Sequence, residues 1–277
     1  LLAPVIVTLG QQNGLIVPLI AVHLFVFYFG IMADVTPPVG LASFAAAAVS
    51  GGDPIRTGVV AFFYSLRTAA LPFLFIFNTD LLLINVGWGQ GILVFVVATI
   101  AMLLFAAATQ GWFLARNKIY ETIALLLIAF TLFRPGFWMD MVSSPFEDVA
   151  PAQIEQAVME TEVGENLRLQ VSGLNAVGDP VTFTALLPVG EGETGADRLL
   201  ASGLEYVVNG DEVIIDNVAF GSPAAEAGFD WDQKIDIVRK PVSQPSKYWM
   251  FLPALILLAM VVMLQRGRAA RLQPKAA

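Results

Sequence analysis

The stretch "GIMADVTPPVGLASFAAAA", residues 30–48, decides how the chain is read. It places a carboxylate, Asp34, and two consecutive prolines, Pro37 and Pro38, in a run otherwise apolar enough to enter a bilayer. A charged side chain at the bilayer centre costs about 2.5–3.5 kcal/mol on insertion scales. Each proline removes a backbone donor and opposes helix continuation. A plain membrane anchor needs neither. Non-helical backbone at membrane depth survives only where it is buried in protein or lines a cavity, and secondary transporters use broken helices of this kind to aim freed carbonyls at an ion or substrate. Pro37 and Pro38 prevent helix through 34–38, and each pushes the residue before it to an extended conformation. The spacing therefore predicts free carbonyls around Val35 and Thr36, beside the Thr36 hydroxyl and the Asp34 carboxylate. Such oxygens suit sodium, so Asp34, Val35, Thr36 and Pro37 form the candidate ion set. The alternative is a proline kink whose Asp34 caps the second half-helix.

Outward from this stretch, residues 15–29 and 39–50 are apolar but each is shorter than the roughly 20 helical residues needed to span a bilayer. Joined by an unwound 30–38, they cross once as a broken helix. "GGDP" (51–54) makes a polar turn, with Asp53 as N-cap and Pro54 at the first helical position. Spanning helices are expected over 55–77, 91–114, 119–133 and 248–264. Tyr248 and Trp249 anchor the last one at an interface. Arg266, Arg268, Arg271 and Lys275 place the C-terminus in the cytoplasm by the positive-inside rule, and Arg56, Arg116 and Lys118 agree. Residues 134–247 then lie on the opposite face.

Composition supports this organisation. Of 277 residues, 57% are hydrophobic and 14% charged, against about 25% charged in a soluble domain; the mean hydropathy is +0.72. With no cysteine, disulfides and thiolate chemistry are excluded. A single histidine, His23, excludes multi-histidine metal sites. The net charge of −8 hides a split, because residues 140–246 hold 19 of the 23 acidic residues and only 5 of the 15 basic ones. That acidity argues against binding nucleic acid.

Within 140–246 the apolar period shortens. "NLRLQVSG", "PVTFTALLPV", "LEYVVNG", "DEVIIDNVAF" and "KIDIV" read as strands between Gly, Asn and Pro turns. "SPAAEAGF" (222–229) reads as a short helix with Ser222 as N-cap. The fold class that results is a polytopic α-helical membrane protein with a broken transmembrane helix, plus a small extracytoplasmic α+β domain, partly PDZ-like. Its parts are a membrane segment over 1–139, the acidic domain over 140–246, and a final helix with a basic tail over 247–277. No nucleophile–histidine pair or phosphate loop is visible, and no enzymatic activity is expected.

"FYFGIMADVTPPVGLASFAAAAVSGGDPIRTG" (27–58) resembles the C-terminal part of the large permease subunit of tripartite ATP-independent periplasmic (TRAP) transporters. "AFFYSLRTAALPFLFIFNTDLLL" (61–83) is similar to the next helix in the fused permeases that work with TAXI-type binding proteins. Residues 140–246 resemble a C-terminal domain of unknown function found in some of these permeases. The resemblance implies sodium-coupled import of small organic anions at a bacterial inner membrane, delivered by a periplasmic substrate-binding protein. It also implies a small permease subunit or fused N-terminal half absent from this chain, which is expected to be a fragment lacking its beginning. Sodium is the only ion implied, and no other cofactor is.

Arg67 stands about 18 Å into its helix. Two roles fit it: bidentate binding of a substrate carboxylate, or a structural pairing with an acidic group such as Asp34. With Pro38 and Gly40 it makes the candidate substrate set. His23 is expected to be a packed, hydrogen-bonded histidine, and Asn78 and Asp80 to cap a helix at the outer interface. "VAFGSPAAEAGFDWDQKIDIV" resembles the second half of a PDZ-like domain, although no glycine-rich carboxylate-binding loop precedes it. That leaves a rival function, a membrane-anchored adaptor binding extracytoplasmic peptides by strand addition.

Overall fold

The computed structural model describes all residues except 1, 13, 14, 16, 85, 175–179 and 273–277. Lys275, one of the orienting charges, lies outside the described residues. The chain divides into two compact units, a helical one over 18–142 with 245–277, and a second over 143–244 with 1–17.

In the helical unit, α2 (Leu19–Met32) and α3 (Leu41–Ser50) precede the long α4 (Pro54–Phe77). The Asp53 carboxylate accepts from the Arg56 N–H at 2.7 Å and Pro54 opens the helix, as the sequence predicts. α5 (Trp88–Thr109), α6 (Ile119–Phe133) and α7 (Pro135–Val142) follow, and α11 (Phe251–Leu272) ends the described chain behind a 3-10 turn at Lys247–Met250. Among the described residues, Pro54–Phe77, Trp88–Thr109 and Lys247–Ala270 are long and apolar enough to cross a membrane.

Two expected spans differ. The helix expected over 91–114 stops at Thr109 because Gly111 adopts a left-handed conformation, φ 70°, which favours glycine and ends helices. The span at 119–133 bends by 85° into α7. Arg134 stands before Pro135, where the helical conformation is disfavoured, and it adopts φ −138° and ψ 67°.

The turn after α5 is held by a buried polar cluster. Glu121 is fully buried in the first turn of α6. Its carboxylate accepts from both Arg268 Nη1 and Nη2 at 2.8 Å, from Gln265 Nε2 at 3.0 Å and from the Lys118 N–H at 2.9 Å. The Gln265 amide oxygen accepts from the Leu114 and Ala115 N–H groups at 3.0 and 3.1 Å, and its amide nitrogen also donates to Asn117 Oδ1 at 2.9 Å. A buried charge is tolerated only when paired and fully hydrogen-bonded, and Glu121 meets both conditions. Around this cluster Leu104, Ala108, Leu125, Ile128 and Val261 build the apolar core.

The second unit is a six-stranded antiparallel sheet. β1 (Phe146–Val149), β2 (Asn166–Leu174), β3 (Pro180–Pro188), β4 (Leu204–Asn209), β5 (Glu212–Val218) and β6 (Lys234–Pro241) pair in the order β3-β2-β6-β5-β4, with β1 also on β6. Alternate residues Leu167, Leu169 and Val171 of β2, with Val213 and Ile215 of β5, point into one core, the period of two that a half-buried strand imposes. Two short helices absent from the sequence reading, α8 (Ile154–Glu160) and α9 (Gly195–Ala201), supply Ile154, Val158 and Leu199 to it. Gly195 lets them approach, since a Cβ there would meet the Glu155 backbone oxygen at 2.6 Å. α10 (Pro223–Glu226) starts with the Ala225 N–H donating to Ser222 Oγ at 3.2 Å. α1 (Leu2–Gln12) groups with this unit, and Val17 is buried.

Lys240 of β6 bridges Glu160 of α8 at 2.9 Å and Glu147 of β1 at 3.3 Å. The hydrogen bond from Lys240, then that from Gln156, holds the Glu160 carboxyl below the usual carboxylate range. A depressed folded-state value means stabilisation that is present at neutral pH and fades as pH falls through that value. Replacing Lys240→Met is therefore expected to flatten the acid limb of the sheet unit's stability; an unchanged acid limb in a pH-resolved unfolding series would contradict this. In the helical unit, Arg268→Ala strands a buried carboxylate, which costs about 3 kcal/mol and lowers the thermal midpoint by roughly 10 °C. The double variant Glu121→Gln, Arg268→Gln is expected to recover most of the loss. A single variant as stable as the parent would show that the cluster carries no stability.

Candidate functional site

α2 ends in a tightened turn before it reaches the prolines. The N–H groups of Ala33, Asp34 and Val35 donate to the carbonyls of Gly30, Ile31 and Met32 at 3.2–3.3 Å, the three-residue spacing of a 3-10 turn. The Thr36 hydroxyl folds back onto the Met32 carbonyl at 2.7 Å. Pro37 and Pro38 then offer no donor, and Gly40, with φ 38°, turns the chain into α3. Two groups in the first residues of α3 are used on the break itself: the Ala42 N–H donates to the Asp34 carbonyl at 3.0 Å and the Ser43 hydroxyl to the Val35 carbonyl at 3.3 Å. The Thr36 carbonyl accepts from Gly40 N–H at 3.0 Å.

This corrects the expectation of free carbonyls at Val35 and Thr36 and of an available Thr36 hydroxyl. All three are engaged, because orphan donors at a helix start must find acceptors. The carbonyls of Pro37, Pro38 and Val39 accept no hydrogen bond among the described residues. The kink alternative is also altered. Gly40 is the N-cap of α3 with no side-chain cap, and the Asp34 carboxylate is exposed with no partner among the described residues. Its backbone oxygen, not its carboxylate, meets α3.

Gly58 seats the break on α4. A Cβ at Gly58 would lie 2.9 Å from Pro37 Cγ and 3.7 Å from Ser43 Cβ, so only glycine allows this approach. Farther along, Phe25 and Phe29 of α2 stack edge-on against Phe73 at 5.2 and 5.7 Å between centroids. Arg67 is not brought to the break. It stands nine residues beyond Gly58, about two and a half helical turns and ~13 Å along the axis, on the opposite side of α4. No ion pair joins it to Asp34, and it makes none among the described residues. His23, expected to be packed and hydrogen-bonded, is exposed on α2 instead.

At the far end of α4, Asn78 donates to the Phe133 carbonyl at 2.5 Å and Asp80 pairs with Lys247. These residues do more than cap: they join α4 to α6 and to the turn before α11. Gly58, Ser43, Gln265 and Glu121 are absent from the sequence reading. A polar residue near each end of an apolar run was the available signal for the last two.

Long apolar helices mark a polytopic membrane protein, here with a Pro-Pro turn beside a carboxylate that has no partner among the described residues and with an antiparallel sheet unit. The chain belongs to the family described as Domain of unknown function (DUF3394), whose model matches residues 91–271. Residues 1–89 match the model described as Tripartite ATP-independent periplasmic transporter, DctM component. The chain thus carries TRAP permease sequence followed by that second domain. The boundary near residue 90 falls in the first turn of α5, so nearly all of α5, with α6, α7 and most of α11, shares one family match with the sheet unit. No curated protein and no solved structure matches the chain. The permease match implies a multi-pass inner-membrane protein with a periplasmic binding-protein partner.

Because the chain has no cysteine, the break's seat can be tested cleanly. A disulfide needs Cβ atoms about 3.5–4.5 Å apart, and positions 43 and 58 satisfy this. The pair Ser43→Cys, Gly58→Cys is expected to cross-link on mild oxidation, read as thiols lost to maleimide labelling. Thiols that stay fully reactive would place the break elsewhere.

Proposed function

We propose that the chain supplies the C-terminal part of the membrane subunit of a sodium-coupled, binding-protein-dependent secondary transporter importing small organic anions, carboxylates above all. The observation that carries this reading is the break at 33–40. There an exposed carboxylate without a partner shares one turn with three carbonyls that accept nothing among the described residues. Hard cations take such oxygen sets, and unwound helices present them in transporters. Asp34 supplies the charge, with Val35, Thr36 and Pro37 shaping the ion site through their backbone. Pro38 and Gly40 line the approach for substrate. Arg67 faces away from the break and is reserved for a carboxylate from outside the described residues, either the substrate or a neighbouring permease segment. The acidic segment 140–246 lies on the periplasmic side and the C-terminus in the cytoplasm, as the basic residues at 116, 118, 266 and 268 favour. There the acidic unit serves as a docking surface for the binding protein or as a structural cap.

The peptide-adaptor reading draws less support. α10 has four residues, about 6 Å of helix, whereas an extended peptide of four residues runs about 13 Å and needs a longer wall.

The test is sodium-driven uptake by the complete transporter with its binding protein in proteoliposomes. Asp34→Asn is expected to lower uptake at limiting sodium at least about tenfold, equivalent to about 1.4 kcal/mol, with protein level unchanged. Equal uptake at every sodium concentration would remove Asp34 from the ion site.

A further inference from the structure

The corner between α6 and α7 holds a second polar site, distinct from the break. Arg134 lies at the 85° bend. Its guanidinium carbon lies 4.6 Å from the centroid of the Phe77 ring and 5.5 Å from that of Phe137. Aromatic contact of this kind engages a guanidinium through its π face, and its N–H groups suit a bidentate acceptor. Beside it opens a cavity of about 110 Å³ lined by Phe77, Asn78, Arg134, Phe137, Asp140 and Lys247. The Asn78 amide is already used on the Phe133 carbonyl, and Lys247 pairs with Asp80. The cavity therefore gathers two cations, Arg134 and Lys247, with one carboxylate, Asp140, while Asp80 reaches it only through its pairing with Lys247.

Its surroundings mark a membrane–water interface. Trp138 Nε1 donates to the Thr131 hydroxyl at 3.0 Å, Tyr248 and Trp249 stand beside Lys247, and Trp249 is exposed. Met141 and Val142 of α7 are exposed apolar side chains on a helix running nearly perpendicular to α6. Aromatic rings with basic groups occupy headgroup depth, and a short apolar helix across the spanning direction lies in the interface plane.

We propose that this cavity binds the headgroup of a zwitterionic phospholipid, an ammonium phosphodiester of the phosphatidylethanolamine type. Arg134 and Lys247 take the phosphate oxygens, and Asp140 takes the ammonium. A purely anionic headgroup would face the Asp140 carboxylate with no ammonium to meet it, and a free phosphate would lack the anchor of the neighbouring acyl surface. The site lies where the permease match (through Phe77 and Asn78) meets the DUF3394 match (through Arg134, Asp140 and Lys247), so the lipid would bridge the two parts.

The experiment is native mass spectrometry of the delipidated full chain titrated with phosphatidylethanolamine, phosphatidylglycerol or inorganic phosphate. Phosphatidylethanolamine is expected to bind at least tenfold more tightly than either competitor. Arg134→Gln is expected to weaken it tenfold or more, and Asp140→Asn to erase its advantage over phosphatidylglycerol. Equal binding by Arg134→Gln and the parent, phosphatidylglycerol binding as tightly, or phosphate binding alone would each overturn the proposal. Should Arg134→Gln fail to fold, Lys247→Gln and Asp140→Asn decide it, and an unchanged lipid preference in both overturns it.

Discussion

The buried pairing of Glu121 with Arg268, completed by Gln265, is the interaction on which the helical unit depends. A carboxylate with no exposure survives at the start of an apolar helix only because four N–H donors converge on it. Those donors come from the turn before α6 and from α11, more than 140 residues later in the chain. Gln265 uses both ends of its amide, one on the 114–115 backbone and the other on Asn117 and Glu121. The register of α11 against α6 is thereby set by directional bonds rather than by apolar packing alone. Packing gives little register in a lipid solvent, where one apolar side chain resembles the next.

The break at 33–40 follows the same rule of accounting from the opposite direction. Two prolines take donors away, and the chain answers by folding the first residues of α3 back onto the Asp34 and Val35 carbonyls. What remains open among the described residues is the exposed Asp34 carboxylate and the carbonyls of Pro37, Pro38 and Val39. Gly58 then decides where this turn sits, because any larger residue would push Pro37 off α4. Proline composition and glycine placement thus act together across two helices.

Legibility from the sequence divides by distance along the chain. The Asp53 and Ser222 caps, the five longer strands and the stop at residues 133–135 rest on neighbours within a few residues, and local patterns expose them. α8 and α9 are seven residues each, too short for an amphipathic period to register, and β1 has four. Arg268 reads locally as an orienting charge, and nothing nearby announces its partner at 121. Free carbonyls at Val35 and Thr36 follow from proline chemistry alone; the donors that occupy them, Ser43 and Gly40, are visible only once α3 has folded back. His23 looks like a core residue on an apolar run, yet α2 turns it outward.

The chain leaves the helical unit after Val142 and returns at Pro245, and α7 packs against the turn at Lys247–Met250 within that unit. Both ends of the inserted sheet are therefore anchored close together by helices already locked through Glu121 and Arg268. Loop-closure entropy grows only slowly with the length enclosed, so most of the cost of joining these ends is met whatever lies between them. The two joins of the 143–244 segment are thus set within the helical unit. Descendants of such a chain can exchange, lengthen or lose the inserted domain while the membrane helices keep their pairing, which leaves this position open to evolutionary experiment.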